Sequence, residues 1–181
     1  MAFVGGSRPS GSLEQTDEIM IRLAAIDETN RSACLDLTLD PDQEHFVPSV
    51  ASSLELASRY PEAQPLAILR DLEGVIGFAM IGIDSQTGLW KIYRLLIDRR
   101  CQGEGAGTIA LALLLRLVHD RHQAEEILVS YQPENTVARG LYAKFGFFET
   151  ITSPDKVTAK ATLPSTLATQ LTAPLATPLV R

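Results

Sequence analysis

The chain has 181 residues, 45% of them hydrophobic, which suits one domain with a normal packed core. A formal net charge of -6 and a pI near 5.1 argue against a general nucleic-acid binder, which needs a basic face. Cys34 and Cys101 imply no disulfide framework, Ala2, Phe3 and Val4 are too short an apolar run for a signal peptide, and Ile109 to Val118, broken by Arg116, is too short to span a bilayer, so the expectation is a cytoplasmic protein bound to no membrane.

Residues 1 to 16 carry Gly5, Gly6, Pro9 and Gly11 among serines and read as a flexible lead-in. The stretch Ile19 to Ile26 alternates apolar and other residues, which predicts the first strand. Asp27 is a candidate cap for a short helix running to about Leu35. Pro41 opens a second helical signal, in which Phe46, Val47, Val50, Leu54 and Ala57 recur at helical spacing up to Tyr60, before Pro61. Leu66 to Arg70, a turn at Asp71 to Gly74, and Val75 to Ile83 predict a hairpin. Leu89 to Ile97 predicts another strand, followed by a glycine-rich loop and a strongly apolar helix from about Gly105 to Asp120. Ile127 to Tyr131 predicts a strand and Asn135 to Phe145 a helix stopped by Gly146. Phe147 to Thr152 and Val157 to Thr162 are the final strands. This order is that of a mixed α/β domain over residues 17 to 162. Residues 163 to 181, rich in Thr, Ala, Leu and Pro with one charge, form a low-complexity tail with little regular structure expected.

The loop Asp98-Arg99-Arg100-Cys101-Gln102-Gly103-Glu104-Gly105-Ala106-Gly107-Thr108 joins a strand to a helix. Backbone N–H groups at a helix start have no intrahelical partner, and the helix dipole behind them favours an anion. Glycines let a pyrophosphate approach the main chain without meeting side chains. The glycine spacing and the position after several strands differ from a dinucleotide fingerprint, and the Gly-Lys-Ser/Thr of a nucleotide-triphosphate loop is absent. A ligand-free glycine-rich turn is the competing explanation.

Arg100-Cys101-Gln102-Gly103-Glu104-Gly105 resembles the Gln/Arg-x-x-Gly-x-Gly/Ala acetyl-CoA motif of the GNAT acetyltransferases. Asn135, Ala138, Leu141, Tyr142 and Phe145-Gly146-Phe147 resemble the later motif of that superfamily, so the resemblance covers roughly residues 18 to 152. It implies a central, mostly antiparallel mixed sheet of six to seven strands flanked by helices. Gln43-x-x-Phe46-Val47 with Leu54, Tyr93-Arg94-Leu95-Leu96-Ile97-Asp98 and Tyr131-Gln132-Pro133-Glu134-Asn135 are similar to bacterial diamine and spermidine/spermine N-acetyltransferases. Three positions depart from the pattern: Cys101 stands where an aromatic residue is usual, Glu104 where a basic one is common, and the ending changes after Thr150.

The resemblance implies acetyl-CoA as co-substrate, a small primary amine (a diamine or polyamine) as acceptor, direct transfer in a ternary complex, and a homodimer as a possible assembly. Acetylation of an antibiotic or protein amine, and a non-catalytic CoA sensor, are the alternatives. Cofactor contacts are expected from Arg100, Gln102, Gly103, Gly105, Ala106, Gly107 and Thr108. Backbone groups at Leu96 and Ile97 are expected to pair with the pantetheine arm and to supply an oxyanion donor, with Asn135, Tyr142 and Lys144 completing the site. Asn135 doubles as an N-cap candidate. Tyr142 is the candidate general acid, since a phenol near pKa 10 suits a leaving thiolate near 8.5. Glu44, Asp84, Glu134 and, more weakly, His45 are candidate bases. His119 and His122 read as structural, Trp90 and Tyr93 as strand packing, and Cys101 as a remote candidate nucleophile. No metal site is expected, because no His/Cys cluster has ligand spacing.

Overall fold

A computed structural model describes residues 20–163. The expected lead-in at 1 to 16 and the tail beyond Leu163 lie outside the described residues. Leu163 itself is buried, and its N–H donates to the Glu125 carbonyl. The elements run β1 (Ile21–Ala25), α1 (Arg31–Leu35), a 3-10 turn (Pro41–Gln43), α2 (Val50–Arg59), β2 (Gln64–Arg70), β3 (Gly74–Ile83) and β4 (Trp90–Ile97). A second 3-10 turn (Arg99–Cys101) leads into α3 (Ala106–His122), β5 (Glu126–Tyr131), α4 (Thr136–Lys144), β6 (Phe148–Thr152) and β7 (Val157–Thr162).

The strands form one seven-stranded sheet in the order β1-β2-β3-β4-β5-β7-β6. Every neighbouring pair is antiparallel except β4 with β5. This is the mixed, mostly antiparallel sheet that the resemblance implied. Inside it, between β2 and β4, lies β3, whose apolar run is explained by burial on both faces. Ile76, Ala79 and Ile81 meet the core built around α3, while Phe78 and Met80 meet the core under α1 and α2. Leu111, Leu114, Leu115 and Val118 of α3 are fully or almost fully buried against the first of these. A core Leu-to-Ala change of this kind costs about 2–5 kcal/mol.

Two helix starts differ from the sequence expectation. Asp27 accepts N–H and O–H bonds from Thr29, closing a turn, and α1 begins after Asn30. The long helical signal from Gln43 collapses to a shorter helix: Ser49 caps it, its hydroxyl oxygen accepting from the Ser52 N–H at 3.2 Å. Pro48 disfavours helix at Val47, and the serine oxygen satisfies a first-turn donor beyond it. Residues 39 to 47 are thereby released from helix to reach the next feature.

That feature is a parting of the sheet. β4 and β5 pair at only three positions, Trp90 with Ile127, Lys91 with Leu128 and Ile92 with Val129. Beyond them β4 continues to Ile97 and β5 to Tyr131 without pairing with each other. The register against β3 shifts at the same place: Met80 faces Arg94 but Ile81 faces Ile92, so Tyr93 is bulged out. A bulge bends a strand and sharpens its twist, which accounts for β4 turning away from β5.

Candidate active site

A cleft of about 600 Å³ occupies this parting. Its walls include Leu95, Leu96 and Ile97 from β4, Gln102 to Thr108 except Glu104 from the loop and α3, and Glu134 to Ala138 with Leu141, Tyr142 and Lys144 from α4 and its approach. Leu39, Gln43, Phe46 and Val47 line it from the segment released ahead of α2. Two helices therefore bring their N-terminal turns to one cleft. The unpaired amides and dipoles of both favour anionic groups there.

The first of these turns owes its shape to glycine. Gly103 and Gly105 have φ of 81° and 83°, a region costly for residues with a Cβ, and Gly105 is the N-cap of α3. Its carbonyl accepts from the N–H groups of Thr108 and Ile109 at 3.0 and 3.1 Å, so the amides just before them stay outside the helical ladder. A methyl added at Gly107 would lie 3.8 and 3.9 Å from the Ile97 and Leu141 side chains, ordinary contact distances, so it would fit. The second turn is capped by Asn135, whose Oδ1 accepts from the Ala138 N–H at 2.9 Å. Asn135 thus has the capping role, and it also lines the cleft.

The loop is anchored beneath by Asp98, which is fully buried. Its carboxylate accepts from the backbone N–H and the guanidinium of Arg100, and from the Thr38 N–H at 3.2 Å. The Arg100 bonds, together with those backbone donors, outweigh burial and hold the acid down to a pKa of about 2. Arg100 reaches this carboxylate through Nε and Nη2. Its side chain is 73% exposed and is not part of the cleft wall, unlike the other cofactor residues expected from sequence. Gln102 lines the cleft, but its side-chain amide is also engaged: it exchanges bonds with the Gln43 amide at 2.9 and 3.1 Å and donates to the Ile97 carbonyl at 2.9 Å. Across the segment, Gln132 Nε2 donates to the His45 carbonyl at 3.0 Å, tying residues 39 to 47 to the far end of the cleft.

Tyr142 lies buried in the wall, its ring parallel to Tyr131 at 5.7 Å and edge-on to Phe147 at 5.3 Å. Burial, and then the neighbouring Tyr131, push its pKa well above that of free tyrosine. The phenol is kept protonated, the form an acid needs, and is a weaker acid than in water. Among the candidate bases, Glu134 lines the cleft, whereas Glu44 and Asp84 do not. Burial alone would raise the Asp84 pKa, but Lys91 at 3.0 Å and the bonds from Thr87 outweigh it, so the carboxyl sits below its usual range. A depressed carboxylate that holds a turn is a poor proton acceptor. The His45 ring packs on Phe46, and His122 stacks on Trp90 at the far end of α3.

Cys101 is buried and outside the cleft, its sulfur 3.8 Å from a Glu73 oxygen. Desolvation raises its pKa despite the nearby Arg70, which leaves the thiol protonated and unsuited to nucleophilic attack. Glu104 does not face the cleft; its carboxylate accepts from Arg70 at 2.8 Å. Sequence reasoning missed the Arg70 partnership because the two residues are 34 apart and nothing local marks it. Leu95, Thr136 and Val137 were missed as site residues because their place depends on where the strands part.

A glycine-shaped loop, a second helix start and a buried tyrosine share one cleft, an arrangement that suits a coenzyme-dependent group-transfer protein. The chain belongs to the acetyltransferase (GNAT) family, whose pattern it matches over residues 25–147. It is an N-acetyltransferase of that family, with acetyl-CoA as donor. The chain is 30% identical over 133 residues to the spermine/spermidine N(1)-acetyltransferase of Bacillus subtilis strain 168, covering 70% of this chain and 87% of that protein. Its fold is similar to that of spermidine N-acetyltransferase from Vibrio cholerae in complex with CoA and spermine, with a TM-score of 0.65 at 15% identity over 82% of this chain and 98% of the other. Mycobacterium smegmatis RimJ in complex with CoA-disulfide is similar at a TM-score of 0.65 and 23% identity, over 84% and 88% of the two chains. At these identities the structural likeness is one of fold.

Proposed function

We propose that the protein transfers acetyl from acetyl-CoA to a primary amine of a diamine or polyamine, by direct attack in a ternary complex. The observation that carries the donor half is the convergence of two helix N-termini on the parting between β4 and β5. The acceptor half rests on the likeness to the Bacillus and Vibrio polyamine enzymes. A second cavity of about 430 Å³ beside the bulged Tyr93 supports it, with Tyr60 and Glu62 among its lining residues, residue types that suit an alkylammonium.

Amides of Gln102 to Thr108 hold the pyrophosphate, and the unpaired edge of β4 at Leu96 and Ile97 pairs with the pantetheine arm. Bound acetyl-CoA supplies an activated thioester. A β4 backbone N–H then stabilises the charge that develops on the acetyl oxygen. Glu134, directly or through water, accepts the amine proton, and Tyr142 donates to the departing sulfur. Asn135 and Lys144 complete the cofactor wall. In the same reading two copies pair through an open sheet edge, because β6 is exposed along its length with Phe148 and Ile151 outward.

Calorimetric titration with acetyl-CoA, followed by an amine screen detecting thiol release, tests the proposal. Saturable binding and turnover with diamines or polyamines are expected. No binding at millimolar acetyl-CoA, or turnover with peptide amines only, refutes it.

A further inference from the structure

We propose that Arg70 is a positioning residue for the cofactor loop, holding the Glu104 carboxylate out of the phosphate cradle. This rests on the acetyl-CoA reading above. From Gln102 to Thr108, every residue except Glu104 lines the cleft. The loop would otherwise place a carboxylate between its two left-handed glycines, beside the amides that face the diphosphate. Such a charge opposes a phosphate ligand directly.

The geometry shows where that charge goes. Arg70 ends β2 and is 5% exposed. Its Nη1 donates to Glu104 at 2.8 Å and to both oxygens of Glu73 at 3.2 Å. Glu73 is three residues away on the hairpin turn and already supplies this guanidinium with a carboxylate. The Glu104 bond is longer in range and shorter in distance, and it crosses from the sheet to the cofactor loop. A buried guanidinium draws a carboxylate strongly because little water competes for it. Gly103 and Gly105 give the backbone the two turns that present Glu104 on the side away from the cleft. The pairing thus keeps the charge of a residue unfavourable to phosphate away from the ligand.

The test is Arg70→Gln, read by calorimetry with CoA and by steady-state kinetics. Binding of CoA should weaken about tenfold, with kcat at saturating acetyl-CoA retained, because one freed carboxylate then faces the phosphates. KM for acetyl-pantetheine, which lacks the diphosphate, should stay within about twofold of wild type. The double variant Arg70→Gln/Glu104→Gln should recover CoA affinity to within about threefold. A merely structural Arg70 predicts the opposite: equal losses for CoA and acetyl-pantetheine and no rescue in the double variant. Either result overturns the proposal, as does unaltered CoA binding in Arg70→Gln. Should Arg70→Gln not fold, Glu104→Gln alone decides: CoA affinity must be equal or higher, and a weakened variant overturns the assignment. A wild type that binds no CoA instead refutes the acetyl-CoA reading itself.

Discussion

Asp98→Asn is the most informative single change to the fold. The carboxylate is buried, sits at the end of β4, and receives donors from both sides: Thr38 ahead of the first 3-10 turn and Arg100 after the strand. Its pKa falls from an ordinary 3.8 to about 2. At about 1.4 kcal/mol for each tenfold change in proton affinity, that drop corresponds to about 2 kcal/mol of stability. Arg100 is largely exposed, so solvent screens its share and the figure is an upper one. Because the folded pKa lies below the unfolded one, this contribution is fully present above pH 3.8. It is lost as the pH falls from there through about 2. Urea unfolding at pH 7 should therefore find Asp98→Asn less stable by about 1–2 kcal/mol. The gap between wild type and variant should narrow as the pH falls from 4 towards 2, where the wild-type carboxyl also becomes uncharged. A variant as stable as wild type at pH 7, or a gap that is the same at pH 7 and pH 2.5, would refute the reasoning.

Tyr142→Phe should lower kcat about 10²–10⁴-fold, the range for a positioned acid, while CoA affinity by calorimetry stays within a few-fold. Unchanged turnover would remove Tyr142 from the mechanism. Asn135→Ala should cost about 1 kcal/mol by thermal unfolding, through loss of the bond to the Ala138 N–H, and should raise the acetyl-CoA KM. Gly105→Ala meets open space, so its cost is backbone strain at φ 83°, about 1–2 kcal/mol. Acetyl-CoA binding should weaken with it, as the amides of the first turn of α3 move.

Much of this architecture was legible from sequence because its signals are local. Apolar runs on either side of a turn marked the hairpin of β2 and β3, a strongly apolar stretch marked α3, and paired motifs at Gln102 to Thr108 and Asn135 to Phe147 marked two walls of one cleft. What escaped depends on partners distant in the chain. The bulge at Tyr93 exists only relative to the register of β3, so the parting of the sheet has no signature in β4 alone. Arg100 looked like a phosphate ligand from its charge, but the buried carboxylate two residues before it captures the guanidinium. Glu104 looked unfavourable because its counter-charge lies on β2. The helical spacing begins at Gln43, yet Pro48 and the Ser49 cap delay the helix and leave Phe46 and Val47 for the cleft wall.

The three rungs between β4 and β5 make the sheet two half-sheets sharing a short seam. Backbone hydrogen bonds across so short a seam carry little of the cohesion between the halves. That task falls to α3, which packs against β1 and β4 and shares one apolar cluster with Ile127, Val129 and Ala159 beyond the seam. In the proposed complex the first turn of the same helix receives the coenzyme. Occupying the site in that way would load the beam that spans both halves: a ligand threaded along β4 would act as a fourth fastening, and amides on each side of the gap should then exchange more slowly with water.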